Sequence, residues 1–182
     1  SGDRGKYVYT ANGGVAHARN VGMSVATGRY LTFLDSDDLL YPYAIELEAA
    51  LLDRYPDVGM VYAEMSGFDD TGFFDRYHLK TYHSSAYRDP RLTYDRIFSE
   101  SVVAAEVGVL PQALRADPDA SGRRVYVGRI FDTYLTNIIV FQNSLMMRRS
   151  LVAEIGERNV RVQQWEELDY AMRMCRAGKV AF

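Results

Sequence analysis

The stretch that most constrains this chain is YLTFLDSDDLL, Tyr30 to Leu40. A nearly continuous apolar run ends in three carboxylates within four residues: Asp35, Asp37 and Asp38, with Ser36 among them. Such a run fits a strand covered on both faces, as in a parallel sheet packed between helices. Like charges this close repel, and burying each costs several kcal/mol unless something neutralises it. Either the cluster stands in water at a strand end, or a cation sits among the carboxylates.

The flanking segments extend this pattern. Tyr7 to Thr10 (YVYT) reads as a short strand, and the following ANGG as a turn. Val15, Ala18, Val21 or Gly22, and Val25 recur at helical spacing, which predicts a helix from about Val15 to Ala26, stopped by Thr27 to Arg29. Pro42 stands where a second helix can begin, running through YAIELEAALLDRY, and DVGMVYAEM is another buried strand. This β-α-β-α-β order implies an α/β architecture with a parallel sheet. Ligands of such sheets bind beyond the carboxyl ends of the strands, where Asp35 to Asp38 lie.

Past Asp69 to Gly72, a predicted turn, the chain is polar and aromatic and lacks a clear period. Helices are expected over Thr93 to Val107, Ile130 to Ile138 and Ser150 to Ile155, and a loop over Arg115 to Arg124. Val140 to Met147 reads as a strand. Glu166 to Ala177 is a helix with Leu168, Met172 and Cys175 along one face and Gly178 as its stop, after which KVAF begins a strand. No repeat or linker divides the 182 residues, so one domain is expected.

Composition narrows the partners. A net charge of -3 and a pI near 5.6 give no basic patch for nucleic acid and no bulk attraction to an anionic membrane. A single cysteine, Cys175, excludes a disulfide within one chain and fits a reducing compartment. No apolar run approaches the roughly 18 residues of a membrane span.

An Asp-x-Asp at a strand end suits Mg²⁺ or Mn²⁺, which use one or two carboxylates and let substrate phosphates and waters complete the shell. Taken alone it is more often a solvated turn, and Asp38 alone would serve as a helix cap or turn closure. The wider pattern is more specific. NGGVAHARNVG (Asn12 to Gly22) followed by ATGRYLTFLDSDD (Ala26 to Asp38) resembles the family 2 glycosyltransferases, enzymes of the GT-A fold that use nucleotide-diphospho-sugars. The matching positions are Asn12, Gly14, Ala18, Arg19, Asn20, Gly22, Gly28, Tyr30, Leu34, Asp35, Asp37 and Asp38. FQNSLMMRRSLVAEIG (Phe141 to Gly156) and WEELDYAMRMCRAGKVAF (Trp165 to Phe182) resemble later segments of the same family.

The resemblance implies a GT-A fold, a mostly parallel Rossmann-like sheet flanked by helices. Residues 1–70 would form the nucleotide-sugar part and 71–182 the acceptor side. It implies sugar transfer to an acceptor hydroxyl, with inversion, in polysaccharide or glycoconjugate synthesis. Asp35 would lie near the ribose and the metal, Asp37 would be the main ligand of a Mg²⁺ or Mn²⁺ ion, and Asp38 would join the donor site. Arg19 would meet the nucleotide or diphosphate. The family's catalytic base maps to Glu167, a glutamate where aspartate is usual, with Asp169 as the alternative base. Glu166 and Trp165 would face the acceptor, Trp165 stacking on a sugar. A UDP-sugar donor, a glycan or lipid-linked acceptor and a cytoplasmic location, with peripheral attachment to the membrane face, complete these expectations.

The resemblance also implies that the family's first strands do not precede Tyr7. Ser1 to Asp3 would be the tail of its second motif, so an N-terminally truncated domain is expected, one that alone binds donor poorly and is inactive.

Plainer readings stand beside these. Arg19 on a helix is ordinarily a solvated charge. Glu166 and Glu167 are favourable first-turn residues at the positive end of a helix dipole, and Trp165 would equally anchor that helix. Arg148 and Arg149 read as surface or helix-entry residues, with a phosphate contact as the alternative. His17, His78 and His83 lack metal-ligand spacing, and Cys175 reads as core. Two other functions share parts of the pattern. A non-catalytic carbohydrate-binding or assembly module would keep the fold without the reaction. A phosphatase of the haloacid dehalogenase type also ends a strand in Asp-x-Asp, but continues with Gly-Thr where this chain has Asp38-Leu39.

Overall fold

The five residues Val58–Tyr62 (β2) are all buried, with Tyr62 and Met60 fully enclosed, and the sheet is built around them. The computed structural model describes residues 5–75, 77–79, 81, 89–90, 92–108, 122–162 and 164–182. In chain order these include α1 (Gly14–Val25), β1 (Tyr30–Thr32), α2 (Ala44–Arg54), β2, β3 (Gly67–Asp69), β4 (Gly72–Asp75), α3 (Tyr94–Ile97), β5 (Glu100–Val103) and α4 (Ala104–Val107). There follow β6 (Arg124–Gly128), α5 (Phe131–Tyr134), β7 (Leu145–Arg148), α6 (Arg149–Ile155), α7 (Glu166–Ala177) and β8 (Lys179–Ala181).

Six strands form one sheet in the order β1-β7-β2-β8-β6-β5, and β3 and β4 form a separate hairpin. The fold is α/β, as the helix and strand order requires. β2 pairs with β8 in parallel, whereas β7 runs antiparallel to both β1 and β2. β1, β2 and β8 therefore point the same way although β7 is inserted among them. β6 and β5 extend the sheet by antiparallel pairs. The sheet is thus mixed: most strands share a direction, while most bonded neighbours do not.

Alternation along the strands sorts the core into two layers. Met60, Tyr62, Leu145, Met147 and Val180 join a cluster with Met23 of α1, Leu151 of α6 and Tyr170, Met174 and Cys175 of α7. Val61, Met146 and Ala181 join the other cluster, with Leu51 and Leu52 of α2 and Val107 of α4. An irregularity in the β2–β8 register between Val58 and Met60 moves Val58 into this second cluster. Each enclosed side chain of this size contributes about 2–3 kcal/mol. Cys175 is core, as its helix face implies, and burial pushes its thiol up to about 12. On α2 a carboxylate breaks the pattern: Glu48 is only 6% exposed.

The two arginines at the β7–α6 junction hold the helices in place. Arg148 donates to the carbonyl oxygens of Leu52 and Tyr55 (3.0 Å), at and just past the C-terminal end of α2, and to that of Val58 (2.7 Å), the first residue of β2. Arg149 donates to those of Gly28 (2.7 Å) and Ala26, just past the end of α1. Cations here satisfy orphan carbonyls and face the negative end of each helix dipole. Both residues lie at a helix entry, as their position suggests, but their side chains are spent on backbone carbonyls. α1, which carries Arg19, is fixed in this way against the sheet.

Several expected elements are shortened or replaced. Tyr7 to Thr10 forms no strand: Tyr7 is 90% exposed, and the segment has no laddering neighbour among the described residues. The helix expected over Thr93 to Val107 is interrupted by β5, because Glu100–Val103 pairs antiparallel with β6. Its β-branched Val102 and Val103 gain more from that edge than from helix continuation. The helix expected over Ile130 to Ile138 keeps one turn, α5. The strand expected from Val140 begins only at Leu145, after a short turn over Gln142–Ser144. The loop expected over Arg115 to Arg124 ends in β6, and its first part, like Ser1 to Asp3 and His83, lies outside the described residues.

Candidate functional site

β1 ends at Thr32, and Asp35 to Asp38 follow in a turn closed by the Asp38 N–H donating to the Asp35 carbonyl (3.1 Å). Asp38 therefore closes a turn and does not cap α2, whose N-cap is Tyr43. The turn lies at the carboxyl end of its strand, as in other sheets of this class.

Arg19, on α1, lies against this turn. Its Nη2 donates to both oxygens of Asp35, at 3.1 and 3.2 Å. Its Nη1 donates to Glu166 Oε1 at 2.6 Å, at the first residue of α7. One guanidinium thus ties together two acidic groups from opposite ends of the chain. The pair is only partly screened, since the Arg19 side chain is 12% exposed. Charge-assisted bonds in such a place are about twice as strong as neutral ones.

A cleft of about 260 Å³ opens here, lined by Val15, Arg19, Asp35, Phe141, Gln142, Asn143, Glu166 and Glu167. Asn143 donates from its Nδ2 to Asp38 and so braces the acidic turn from the far wall. Asp37 is exposed and has no hydrogen-bond or ion-pair partner among the described residues. Of the three clustered carboxylates, Asp35 is taken by Arg19 and Asp38 by Asn143. Asp37 alone of the three has no partner among the described residues. Among the described residues, no three His, Cys, Asp or Glu side chains gather into a ready-made metal cage. That donor set suits an ion held by one or two carboxylates and completed by phosphate oxygens.

Glu166 and Glu167 divide their roles by environment. Burial alone would push Glu166 up, but a hydrogen bond from Glu167 and the Arg19 and Arg158 guanidiniums outweigh it and hold this carboxyl below its ordinary value. Burial, and then the hydrogen bond to Glu166, push Glu167 above its ordinary value. Their environments thus drive the two neighbouring carboxyls apart, Glu166 toward the ionised form and Glu167 toward the protonated one.

Trp165 precedes them in a left-handed conformation (φ 63°), the only non-glycine residue with positive φ among those described. It is 64% exposed, so it does not anchor the helix in the core. A bulky residue held there costs about 1–2 kcal/mol. Asp169 lies on the next turn of α7 and pairs with Arg173 at 2.9 Å, away from the cleft lining. Arg19, Asp35, Glu166 and Glu167 therefore converge on one cleft. Asp37 and Asp38 adjoin it, Trp165 is exposed beside it, and Asp169 is engaged elsewhere.

Four further residues shape the site, of which only Asn20 stands out in the sequence. Asn143 braces the acidic turn. Asn20 of α1 clasps the Arg158 backbone, donating to its carbonyl (2.9 Å) and accepting from its N–H (2.8 Å). Arg158 is 2% exposed, lies over the Tyr170 ring at 4.2 Å and donates to Gln142 of the cleft wall. Asn20 was one of the matched motif positions. Gln142 and Asn143 fall within the family-like segment Phe141 to Gly156 but, like Arg158, have no individual signal there, since each acts through a contact distant in sequence.

Comparison with known proteins gives the family of the N-terminal part. The sequence profile of "Glycosyl transferase family 2" matches residues 1–105, which include α1, Arg19 and the acidic turn. An uncharacterized glycosyltransferase of Rickettsia conorii is 46% identical over 49 residues, 27% of this chain and 8% of the relative. The uncharacterized glycosyltransferase YibD of Escherichia coli is 40% identical over 68 residues, 37% of this chain and 20% of the relative. An uncharacterized protein of Sinorhizobium fredii is 39% identical over 54 residues, 30% of this chain and 6% of the relative. The chain thus spans a small part of the length of these relatives.

Proposed function

The chain belongs to glycosyl transferase family 2, and on that premise we propose that it transfers a sugar from a nucleotide-diphospho-sugar to an acceptor hydroxyl with inversion. The observation that carries this reading is the Arg19 bridge. It draws Asp35, from the matched donor motif, and Glu166, separated from Arg19 by 147 residues, to one cleft. Glu167 sits in the same lining.

In the reaction, the acceptor oxygen forms a bond to the anomeric carbon while the bond from that carbon to the diphosphate oxygen breaks. The diphosphate leaves with the electron pair. The proton of the hydroxyl passes to the carboxylate form of Glu167, whose proton affinity is raised by burial and by the neighbouring Glu166, which strengthens it as a general base. Arg19 offers its guanidinium to the negative donor, and the Asn143–Asp38 contact holds the acidic turn across from it. Mg²⁺ or Mn²⁺, held by Asp37 with Asp35, would supply Lewis-acid neutralisation of the departing diphosphate. The exposed Trp165 offers a ring face to an acceptor sugar. A UDP-sugar is the proposed donor class and a glycan or lipid-linked glycan the acceptor class, for a protein working at the cytoplasmic membrane face in polysaccharide synthesis. Among the described residues no helix is long and apolar enough to cross a membrane.

The test is nucleotide release from a panel of UDP-sugars by the protein and by Glu167→Gln. The expected result is turnover by the parent, which would also overturn the sequence-based expectation that this chain alone is inactive, and at least a ~10²-fold loss in the variant. Undiminished turnover in Glu167→Gln would remove this residue from the reaction.

A further inference from the structure

Arg158 is the most deeply buried cation described in this chain, and the cleft does not reach it: its side chain is 0% exposed. Burying a guanidinium is costly unless geometry repays it. Three contacts fix its position. Asn20 holds its backbone on both sides. The rings of Tyr170 and Phe33 lie 4.2 and 5.0 Å from its Cζ. Nη2 donates to Gln142, while Nη1 lies 3.9 Å from Glu166 Oε1. Nη1 and Nε have no hydrogen-bond acceptor among the described residues. Burial and the nearby charge of Arg19 press its own proton affinity down to about 10, so it remains charged at neutral pH.

The groups around the carboxyl pair come from every element packed against it. Arg19 comes from α1, Asp35 from the turn after β1, Tyr134 from α5, Arg158 from the loop between α6 and α7, and Tyr170 and the Asp169–Arg173 pair from α7 itself. The two cations differ in one respect. Arg19 is shared with Asp35 and lines the cleft, so an anionic ligand can compete for it. Arg158 is sealed beneath, where no ligand reaches it.

We propose that Arg158 is a positioning residue. From beneath the cleft its charge holds Glu166 as the permanently ionised member of the pair, whatever Arg19 is bound to, and so leaves Glu167 as the member that carries and releases the proton. Arg158 touches no substrate and acts through Glu166. The assignment rests on the reading of Glu167 as the base, but its test does not require sugar transfer.

The experiment is a ¹³C NMR titration of the protein labelled at the glutamate side-chain carboxyls, with Glu166→Gln and Glu167→Gln assigning the two resonances. In the parent, Glu166 is expected to lose its proton at lower pH than Glu167. In Arg158→Met its midpoint is expected to rise toward that of Glu167, and in Arg158→Lys, which keeps a charge, the separation is expected to persist. The reverse order in the parent would overturn the proposal, as would an unmoved Glu166 midpoint in an Arg158→Met chain with native circular dichroism. Should Arg158→Met fail to fold, the parent and Arg158→Lys decide: a separation lost on the lysine change refutes the role assigned to the buried charge.

Discussion

Glu48 lies on the buried face of α2, with no hydrogen bond or ion pair among the described residues. Burial alone pushes its carboxyl from 4.5 up to about 7. A folded-state value above the unfolded one means that the native state binds the proton more tightly. The associated stability is fully present below the unfolded value and is lost as pH rises through about 7. At about 1.4 kcal/mol per tenfold change in proton affinity, the loss is ~3 kcal/mol once the group is ionised. Glu48→Gln has the shape of the protonated form and no titration. Its stability is expected to equal the parent's at about pH 4 and to exceed it by up to ~3 kcal/mol at about pH 8. Urea unfolding followed by circular dichroism at both values measures the difference. Other titrating groups cancel in the comparison. An equal difference at the two pH values, or a parent more stable than the variant at the higher one, would refute the reasoning.

Two further substitutions probe the scaffold, both read by urea unfolding. Arg148→Ala strips three carbonyl oxygens between the end of α2 and the start of β2 of their donor and is expected to cost about 2–4 kcal/mol; a loss under about 0.5 kcal/mol would show that water replaces the arginine. Gly128→Ala places a Cβ 2.8 Å from the Ser99 nitrogen and 3.2 Å from the Phe98 Cα, backbone atoms that cannot swing aside, and about 1–3 kcal/mol of destabilisation is expected. An unchanged midpoint there would mean that the β5–β6 edge moves freely.

The parts of the fold legible in the sequence are those set by local pattern. α7 spans Glu166–Ala177, the range its helix formers and following glycine indicate, but of the expected face Leu168, Met172 and Cys175 only Cys175 is buried; Tyr170, Ala171 and Met174 complete the packed face and Met172 is exposed. β2 and the helix before it follow from a continuous apolar run after an amphipathic one. The partners of a strand are not local information. β7 lies between β1 and β2, its successive residues Met146 and Met147 facing opposite core layers, and nothing in LMMR states its neighbours or its direction. Val102 and Val103 likewise show a helical spacing that the sheet edge overrides.

The site divides in the same way. Arg19, Asp35, Asp37 and Asp38 stand in compact motifs, and Glu166 and Glu167 at a helix start. Arg158 follows a glycine turn and reads like any solvated arginine. Only its contacts across 138 residues with Asn20 and across 16 with Gln142 reveal a buried cation under the cleft.

The central claim is that the acidic turn after β1 receives a nucleotide diphosphate with a divalent cation, Asp37 being its free carboxylate. The measurement that tests it most directly is UDP binding by calorimetry, with and without Mn²⁺, on the parent and on Asp37→Ala. The account predicts binding that needs Mn²⁺ in the parent and a loss of at least ~10-fold in the variant. Equal UDP affinity with and without Mn²⁺, undisturbed by Asp37→Ala, would contradict it.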